Sequence, residues 1–192
     1  MKKICNILFF VIILSAFVFI QPALSQGAAK TTKEVKIFQE KGFGYSIQYP
    51  ADWIYNKQAA HVLLFSRKDG VDKYIPIIGI QNLLSTKASG GKYQSVSAVI
   101  EDFQNQLKIT KRAKVFPAEP FIYNRNDLKL EGQQFLAEYN YNGKNSKQWL
   151  IVLPRPSGDI FYVFIYSAPI EQYDKYYGSA AKAMLDSWII YR

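Results

Sequence analysis

The strongest structural signal in this sequence is the segment Phe43-Gly-Tyr-Ser-Ile-Gln-Tyr-Pro-Ala-Asp-Trp53. Large apolar side chains alternate with small or polar ones up to Tyr49, which is typical of a β-strand with one buried face. Pro50 lacks a backbone donor and therefore ends the strand, and Asp52 suits the turn that follows. Trp53, a residue rarely left in water, is expected to close an edge of the core.

The N-terminus has the three parts of an export signal. Lys2 and Lys3 form a positive end, residues 7–20 are almost wholly apolar, and small residues precede an expected cut after Ser25. The signal peptide is thus predicted at residues 1–25, and the mature protein is expected in the periplasm or outside the cell. The alternative is an uncleaved N-terminal anchor, but the apolar stretch is shorter than the roughly 20 residues that span a bilayer comfortably.

Composition limits the possible chemistry. Cys5 is the only cysteine and lies within the expected signal, so the mature chain has no thiol for a disulfide, a nucleophile or a metal site. The formal net charge is +9, of which Lys2 and Lys3 contribute two. Such a charge can indicate nucleic-acid binding, but export makes anionic membranes, cell-wall polymers and acidic proteins the available partners. A basic surface also aids solubility without any partner.

Apolar runs rich in β-branched and aromatic residues predict strands that are covered on both faces. They are residues 62–65, 75–80, 149–153 and 160–166. The connections resemble hairpins, because Tyr141-Asn-Gly-Lys144 carries the Asn-Gly turn signal and Pro154-Arg-Pro-Ser-Gly-Asp159 is rich in residues that break regular structure. The sheet is therefore expected to be mainly antiparallel.

Two amphipathic segments can cover this sheet. Ser95 is a candidate N-cap, and apolar residues follow it at helical spacing to Leu107. Pro169 suits the entry to a second helix, whose apolar stripe runs to Trp188. One helix on each face gives an α+β fold, a three-layer α/β/α sandwich with a central, mainly antiparallel sheet.

The domain is expected to occupy residues 42–192. Residues 26–41 are polar, contain lysines and have little to bury, so they are predicted to be a flexible leader. The segment Phe43–Trp53 is then expected to supply the first strand of the doubly covered sheet.

At this point the chain resembles the PsbP-like family, named after the extrinsic lumenal subunit of photosystem II. The resemblance spans about Gly42 to Tyr191 and rests on the order of several motifs. They are Tyr45-Ser-Ile-Gln-Tyr-Pro-Ala-Asp-Trp53, the helix from Ser95 to Ile109, Phe164-Ile-Tyr-Ser-Ala-Pro-Ile-Glu-Gln-Tyr-Asp-Lys-Tyr-Tyr177 and the ending Leu185-Asp-Ser-Trp-Ile-Ile190.

The resemblance implies a central antiparallel sheet between helices, and a class of mostly non-enzymatic accessory or binding proteins. One branch of that family docks on photosystem II, and another binds the small GTPase Ran. No residue set in this sequence matches either branch specifically, so the resemblance implies no site.

Catalytic motifs find little support. His61 is the only histidine and shares an expected strand face with Leu63 and Phe65, which favours a structural role. Two Ser-x-x-Lys matches occur. The first, at residues 89–92, lies in a Gly-Gly loop that cannot hold a serine–lysine pair in place, and the second, at residues 179–182, lies on an expected helix without the other motifs of that enzyme class. No catalytic residue, metal ligand or cofactor is therefore predicted.

Acidic pairs give no better site. Asp69 and Asp72 fit a turn between strands, and Glu101 and Asp102 are expected on the solvated side of the first helix. The tyrosines of the C-terminal part could stack on sugars, but most are expected at the edge of the core.

The densest basic cluster ends the first helix. It comprises Lys108, Lys111, Arg112 and Lys114. Cations there favour the negative end of the helix dipole, which explains the cluster without any partner. The functional alternative is a docking patch for an anionic membrane surface or a partner protein.

The leading hypothesis is an exported, non-catalytic binding protein that acts as an accessory to an envelope or membrane-associated partner. One alternative is a small hydrolase that uses carboxylates in a cleft, for which two convergent acids in a deep polar pocket are the expected sign. Another is a carrier of a small apolar ligand, which requires a cavity between sheet and helix. The oligomeric state is open, with a monomer as the default.

Overall fold

The fold is known from a computed structural model, in which residues 34–67, 76–141 and 143–192 are described. The expected signal peptide, the acidic pair Asp69 and Asp72, and Asn142 of the expected hairpin lie outside these residues.

The strands in chain order are β1 (Val35–Glu40), β2 (Tyr45–Pro50), β3 (Trp53–Ala59), β4 (Val62–Arg67), β5 (Ile77–Leu84), β6 (Lys114–Val115), β7 (Glu119–Arg125), β8 (Leu128–Tyr141), β9 (Lys144–Pro154), β10 (Ile160–Pro169) and β11 (Ile189–Ile190). The helices are α1 (Val96–Lys111), α2 (Ile170–Tyr176) and α3 (Ala183–Ser187), and a π-helical segment, Tyr177–Lys182, joins α2 to α3.

The larger sheet has the order β3-β4-β5-β10-β9-β8-β6, and β7 also pairs with β8. Every pairing in it is antiparallel. The strands β9 and β10 at its centre are buried over most of their length, as expected for strands covered on both faces. The predicted hairpin connections between β8 and β9 and between β9 and β10 are confirmed.

The two faces of the larger sheet carry separate cores. On one face α1 packs its buried residues Val99, Ile100 and Leu107 against side chains of β8, β9 and β10. On the other face lie α2, the π-helical segment, α3 and a small second sheet. The predicted three-layer α/β/α sandwich with a central antiparallel sheet is therefore confirmed.

The expected position of β2 is wrong. It does not start the central sheet but forms the middle of a small sheet of order β1-β2-β11, in which β1 and β11 occupy its two edges. The turn at residues 51–52 redirects the chain, so that β3 enters the larger sheet instead. The aromatic face of β2 is buried as predicted, and Trp53 is only 3% exposed.

The expected leader is also wrong for Val35–Glu40, which forms β1. Phe38 holds this strand in place, because its ring lies 4.8 Å from that of Tyr55 and 6.0 Å from that of Phe65. Phe38 is the one buried side chain of this strand, whereas its other apolar residues, Val35 and Ile37, are exposed, so the sequence signal is weak. The sheet partner of β1 is the next strand, β2.

The helix boundaries follow from local chemistry. The Ser95 side chain accepts a 3.1 Å hydrogen bond from the backbone N–H of Ala98, which confirms the predicted N-cap. At the other end, Arg112 takes the left-handed conformation, with φ of 48° and ψ of 40°. The chain thereby leaves α1 and enters β6 within a few residues.

Candidate binding sites

The four predicted basic residues lie together where α1 ends and β6 begins. Lys108 and Lys111 are in the last turn of α1, Arg112 caps it, and Lys114 starts β6. Within the described part of the chain none of the four forms an ion pair. We call these four residues the basic patch.

Aromatic side chains orient two of these cations. The Nζ atom of Lys111 lies 4.3 Å from the ring centroid of Tyr139 and 5.1 Å from that of Tyr141. The Nζ atom of Lys114 lies 4.7 Å from the ring centroid of Phe116. Such cation–π contacts are modest at exposed sites, but they hold the ammonium groups above the protein surface.

Sequence reasoning missed two apolar side chains of this surface. Ile109, which lies between Lys108 and Lys111 in sequence, is 79% exposed, and Tyr141 is 46% exposed. The helical spacing shows Ile109 to be off the buried stripe, which is the signal that could have revealed it. The surface therefore combines four cations that form no ion pair with a described residue with an exposed aliphatic and an exposed aromatic side chain.

A cavity of about 460 Å³ lies on the opposite face of the larger sheet, bounded by β8, β9 and α2. Strand alternation places its residues, because Leu136 of β8 and Trp149 of β9 are direct cross-strand partners. Tyr173 of α2 and Tyr177, the first residue of the π-helical segment, are four residues apart in sequence. Their rings are stacked, with centroids 5.9 Å apart.

A break in the sheet edge opens this cavity. The strands β6 and β7 both pair with β8, and Phe116 and Pro117 lie in the gap between them. The Phe116 N–H still donates to the Leu136 carbonyl at 2.9 Å, but Pro117 has no N–H and cannot continue the ladder. This edge therefore leaves the neighbouring side chains of β8 and β9 accessible.

Aromatic residues are the largest group in the lining of the cavity. Phe116, Trp149, Tyr173 and Tyr177 form what we call the aromatic lining. The Trp149 and Tyr177 ring centroids are 5.3 Å apart, and the Trp149 indole N–H donates a 2.9 Å hydrogen bond to Oε1 of Gln134. These contacts hold the indole in one orientation.

Three charged residues also belong to the lining. The Lys147 Nζ atom lies 4.7 Å from the ring centroid of Tyr173. Glu119 and Asp174 are exposed and form no ion pair with any described residue. Glu138 is the cross-strand partner of Lys147 on one side and of Lys114 on the other.

Tyr173 is the most deeply buried part of the aromatic lining, at 4% exposed. Its carbonyl accepts a 2.7 Å hydrogen bond from the Tyr166 hydroxyl, whereas its own hydroxyl has no hydrogen-bond partner among the described residues. Burial raises the pKa of this phenol, so the ring is neutral at physiological pH.

The other sequence candidates are placed elsewhere. His61 is exposed in the turn between β3 and β4 rather than within a strand. Ser179 donates to the Lys175 carbonyl, and Lys182 pairs with Asp186 at 2.6 Å. The second Ser-x-x-Lys match therefore forms no serine–lysine pair.

The sequence predicts Asp102 on the solvated side of α1, but its carboxylate is held by hydrogen bonds to the loop before the helix. Its Oδ2 atom accepts hydrogen bonds from the Tyr93 hydroxyl at 2.6 Å and from Lys92 Nζ at 2.9 Å. The Tyr93 hydrogen bond and then the Lys92 hydrogen bond lower the pKa of this carboxyl. Asp102 therefore anchors the loop before α1 to the helix itself.

No three His, Cys, Asp or Glu side chains in residues 34–67, 76–141 and 143–192 lie close enough to hold a metal ion. None of the helices in these ranges is long and apolar enough to cross a membrane.

The sequence matches no known family model and no curated protein. Solved structures do match. The chain resembles LpqN, involved in cell envelope biogenesis of Mycobacterium tuberculosis, with a TM-score of 0.57 at 13% identity over 83% of this chain and 91% of that one. It also resembles cyanobacterial PsbP (CyanoP) from Synechocystis sp. PCC 6803, with a TM-score of 0.53 at 13% identity over 88% and 99% of the two chains.

The Ran-binding protein Mog1p of Saccharomyces cerevisiae matches with a TM-score of 0.50 at 10% identity, over 83% of this chain and 96% of that one. The chain also spans 48% of the length of a Bacteroides thetaiotaomicron protein. Identities this low establish the fold alone. The expected resemblance is confirmed at that level: the domain has the fold shared by PsbP, LpqN and Mog1p.

Proposed function

We propose that this protein is an exported, non-catalytic accessory protein that docks through its basic patch on an anionic membrane surface of the cell envelope. The observation that carries the proposal is Ile109, which is 79% exposed among the four cations of the patch. Cations alone would serve solubility equally well. Ile109 and the exposed Tyr141 beside Lys111 add apolar side chains to this basic surface, and that combination is typical of surfaces that bind the membrane interface.

The energetics favour weak, reversible docking. A lysine or arginine near an anionic bilayer contributes about 1 kcal/mol, and this attraction falls off within a Debye length of about 8 Å at physiological salt. Ile109 would add apolar burial, and a tyrosine such as Tyr141 suits the boundary between headgroups and acyl chains. The sum corresponds to a peripheral protein that salt can release.

The structural relatives agree with a binding role without defining it. LpqN is involved in cell envelope biogenesis, and Mog1p binds Ran. The shared fold therefore supports action by binding. The main alternative to an anionic membrane is an acidic surface on a partner protein.

Fractionation of the native cells tests export and docking together. We expect the mature protein to begin at Gln26, to pellet with envelope membranes at low salt and to be released by 0.5 M NaCl. An intact Met1 would contradict cleavage of the signal. Recovery in the soluble fraction at low salt would contradict docking. If the protein stays with the membranes only when a particular membrane protein is present, its partner is that protein and not the lipid.

A second candidate function is carriage of a small apolar ligand, favoured by the cavity between sheet and helix. Its volume of about 460 Å³ lies within the range of ligand sites, roughly 300–1,000 Å³. The neutral fluorescent probe N-phenyl-1-naphthylamine should bind and receive energy transfer from tryptophan. Blocking the cavity by Leu136→Trp should abolish the signal, and an unchanged signal would contradict this function.

The hydrolase alternative has weaker support. The cavity contains two acids, Glu119 and Asp174, but both are exposed and the rest of its lining is largely aromatic. A carboxyl group that acts as a general acid near neutral pH usually requires a shielded environment, which raises its pKa.

A further inference from the structure

We infer that the cavity between β8, β9 and α2 selects a small organic cation, that is, an ammonium or guanidinium group on an apolar body. This inference rests on the second candidate function, since it assumes that the cavity holds a ligand. It can be tested separately from docking by the basic patch, because none of the four cations of the patch lines the cavity, although Lys114 contacts Phe116, which does.

The aromatic lining supplies the first argument. The face of an aromatic ring carries partial negative charge and attracts a cation within about 6 Å, most strongly for tryptophan. Trp149, Tyr173 and Tyr177 line one cavity, and the Gln134 contact fixes the indole of Trp149. Several such rings around one space are the usual means of binding a quaternary or alkylated ammonium group.

The protein's own lysine supplies the second argument. The ammonium of Lys147 already lies 4.7 Å from the ring centroid of Tyr173. The lining therefore accepts a cation at this position, and Lys147 acts as an internal occupant with which a ligand must compete. Lysine has a flexible four-carbon stem, and the acid Glu138 is the cross-strand neighbour toward which the ammonium of Lys147 would move when a ligand binds.

The balance of charge supplies the third argument. The charged residues of the lining are the two acids Glu119 and Asp174 and one lysine, Lys147, and none of the three forms an ion pair with a described residue. In a chain of net charge +9, two acids without a partner at one cavity are conspicuous. Their field attracts a cation and repels an anion of the same size.

The test compares three ligands that share one ring: benzyltrimethylammonium, benzyl alcohol and phenylacetate. Binding is measured by calorimetry and by quenching of tryptophan fluorescence, with Trp149→Phe to assign the quenching to the cavity. We expect the cation to bind at least about tenfold more tightly than the alcohol, and phenylacetate to bind most weakly.

Substitutions of the lysine and of the acids in the cavity should change cation binding in opposite directions. Lys147→Met should tighten benzyltrimethylammonium binding several-fold, because it removes the internal competitor. Glu119→Gln with Asp174→Asn should weaken binding several-fold. The control pair Glu131→Gln with Asp127→Asn, which changes the net charge equally away from the cavity, should leave it unchanged.

The outcomes separate the inference from the function on which it rests. Equal binding of the alcohol and the cation would overturn cation selection but leave a carrier of apolar ligands. If phenylacetate binds most tightly of the three, or if Lys147→Met abolishes phenylacetate binding, the cavity is an anion site and the inference is overturned. Absence of binding by all three ligands and by the neutral naphthylamine probe would overturn both. The ligand series on the unmodified protein decides the inference even if a variant fails to fold.

Discussion

The hydroxyl of Tyr123 donates a 3.0 Å hydrogen bond to the backbone carbonyl of Trp188. The same oxygen accepts the backbone N–H of Ile190, also at 3.0 Å. Tyr123 belongs to β7 of the larger sheet, whereas Ile190 belongs to β11 of the small sheet. One phenol therefore links the two sheets at the C-terminal end of the chain.

Removal of this hydroxyl should destabilise the domain. Tyr123→Phe leaves a buried carbonyl and a buried N–H without partners, which costs about 1 to 3 kcal/mol. Urea unfolding followed by circular dichroism measures the change. Tyr191→Phe serves as the control, because its exposed hydroxyl has only a 3.5 Å contact with Gln39 and its removal should cost less than about 0.5 kcal/mol. Equal effects of the two substitutions would show that the link is not stabilising.

Asp102 should contribute stability through its charge. Asp102→Asn weakens charge-assisted hydrogen bonds to Tyr93 and Lys92 and should cost about 1 kcal/mol at pH 7. Because the folded-state pKa of Asp102 is lowered, its contribution is present above the ordinary value of 3.8 and is lost as the pH falls through the folded-state value.

The stability difference between the wild type and Asp102→Asn should therefore shrink at acidic pH. Urea midpoints measured from pH 7 down to pH 2 test this trend. Glu101→Gln, at the preceding residue of α1, is the matched control and should change stability little at any pH. A difference that stays constant down to pH 2 would exclude the charge of Asp102 as its cause.

Buried tyrosines should make the domain sensitive to alkali. Burial raises the pKa of Tyr162 to about 12 and raises those of Tyr45, Tyr166 and Tyr173 further. A raised folded-state pKa means that the stabilising contribution is complete below the ordinary value of 10.0 and is lost as the pH rises above it. We expect cooperative unfolding in alkali, in which late tyrosinate absorbance at 295 nm appears together with loss of near-ultraviolet circular dichroism. Smooth ionisation of all tyrosines near pH 10 in a folded domain would contradict this.

The sequence predicts most of the fold because its signals are local. Ser95 begins α1 through a hydrogen bond within its own turn, and the β9 and β10 strands are apolar on both faces. The position of β2 is different in kind. Its alternating pattern correctly indicates one buried face, but it pairs with β1 on one side and with β11, at Ile189–Ile190, on the other. No local pattern reveals the pairing with β11, which spans more than a hundred residues.

The candidate sites divide in the same way. The basic patch is contiguous in sequence, so its four cations could be recognised directly. The cavity is not, because Phe116, Trp149 and Tyr173 come from separate elements and converge only through strand register and helix docking. Each of these aromatic residues individually resembles a core residue, and Trp149 is in fact largely buried.

The central proposal is that the basic patch and Ile109 dock on an anionic membrane. The direct measurement is co-sedimentation of the mature protein with vesicles of 30% phosphatidylglycerol in phosphatidylcholine, at salt concentrations from 25 to 300 mM. The triple variant Lys108→Gln, Lys111→Gln and Lys114→Gln is compared with the equally charged control Lys41→Gln, Lys87→Gln and Lys129→Gln, and with Ile109→Ser.

We expect the wild type and the control to bind at low salt and to dissociate as salt rises. The patch variant should bind at least about tenfold more weakly with a flatter salt dependence, since each cation contributes about 1 kcal/mol. Ile109→Ser should bind more weakly with the salt dependence unchanged. Equal loss of binding in the patch variant and the control would contradict a localised docking surface, and absence of wild-type binding at 25 mM salt would contradict membrane docking altogether.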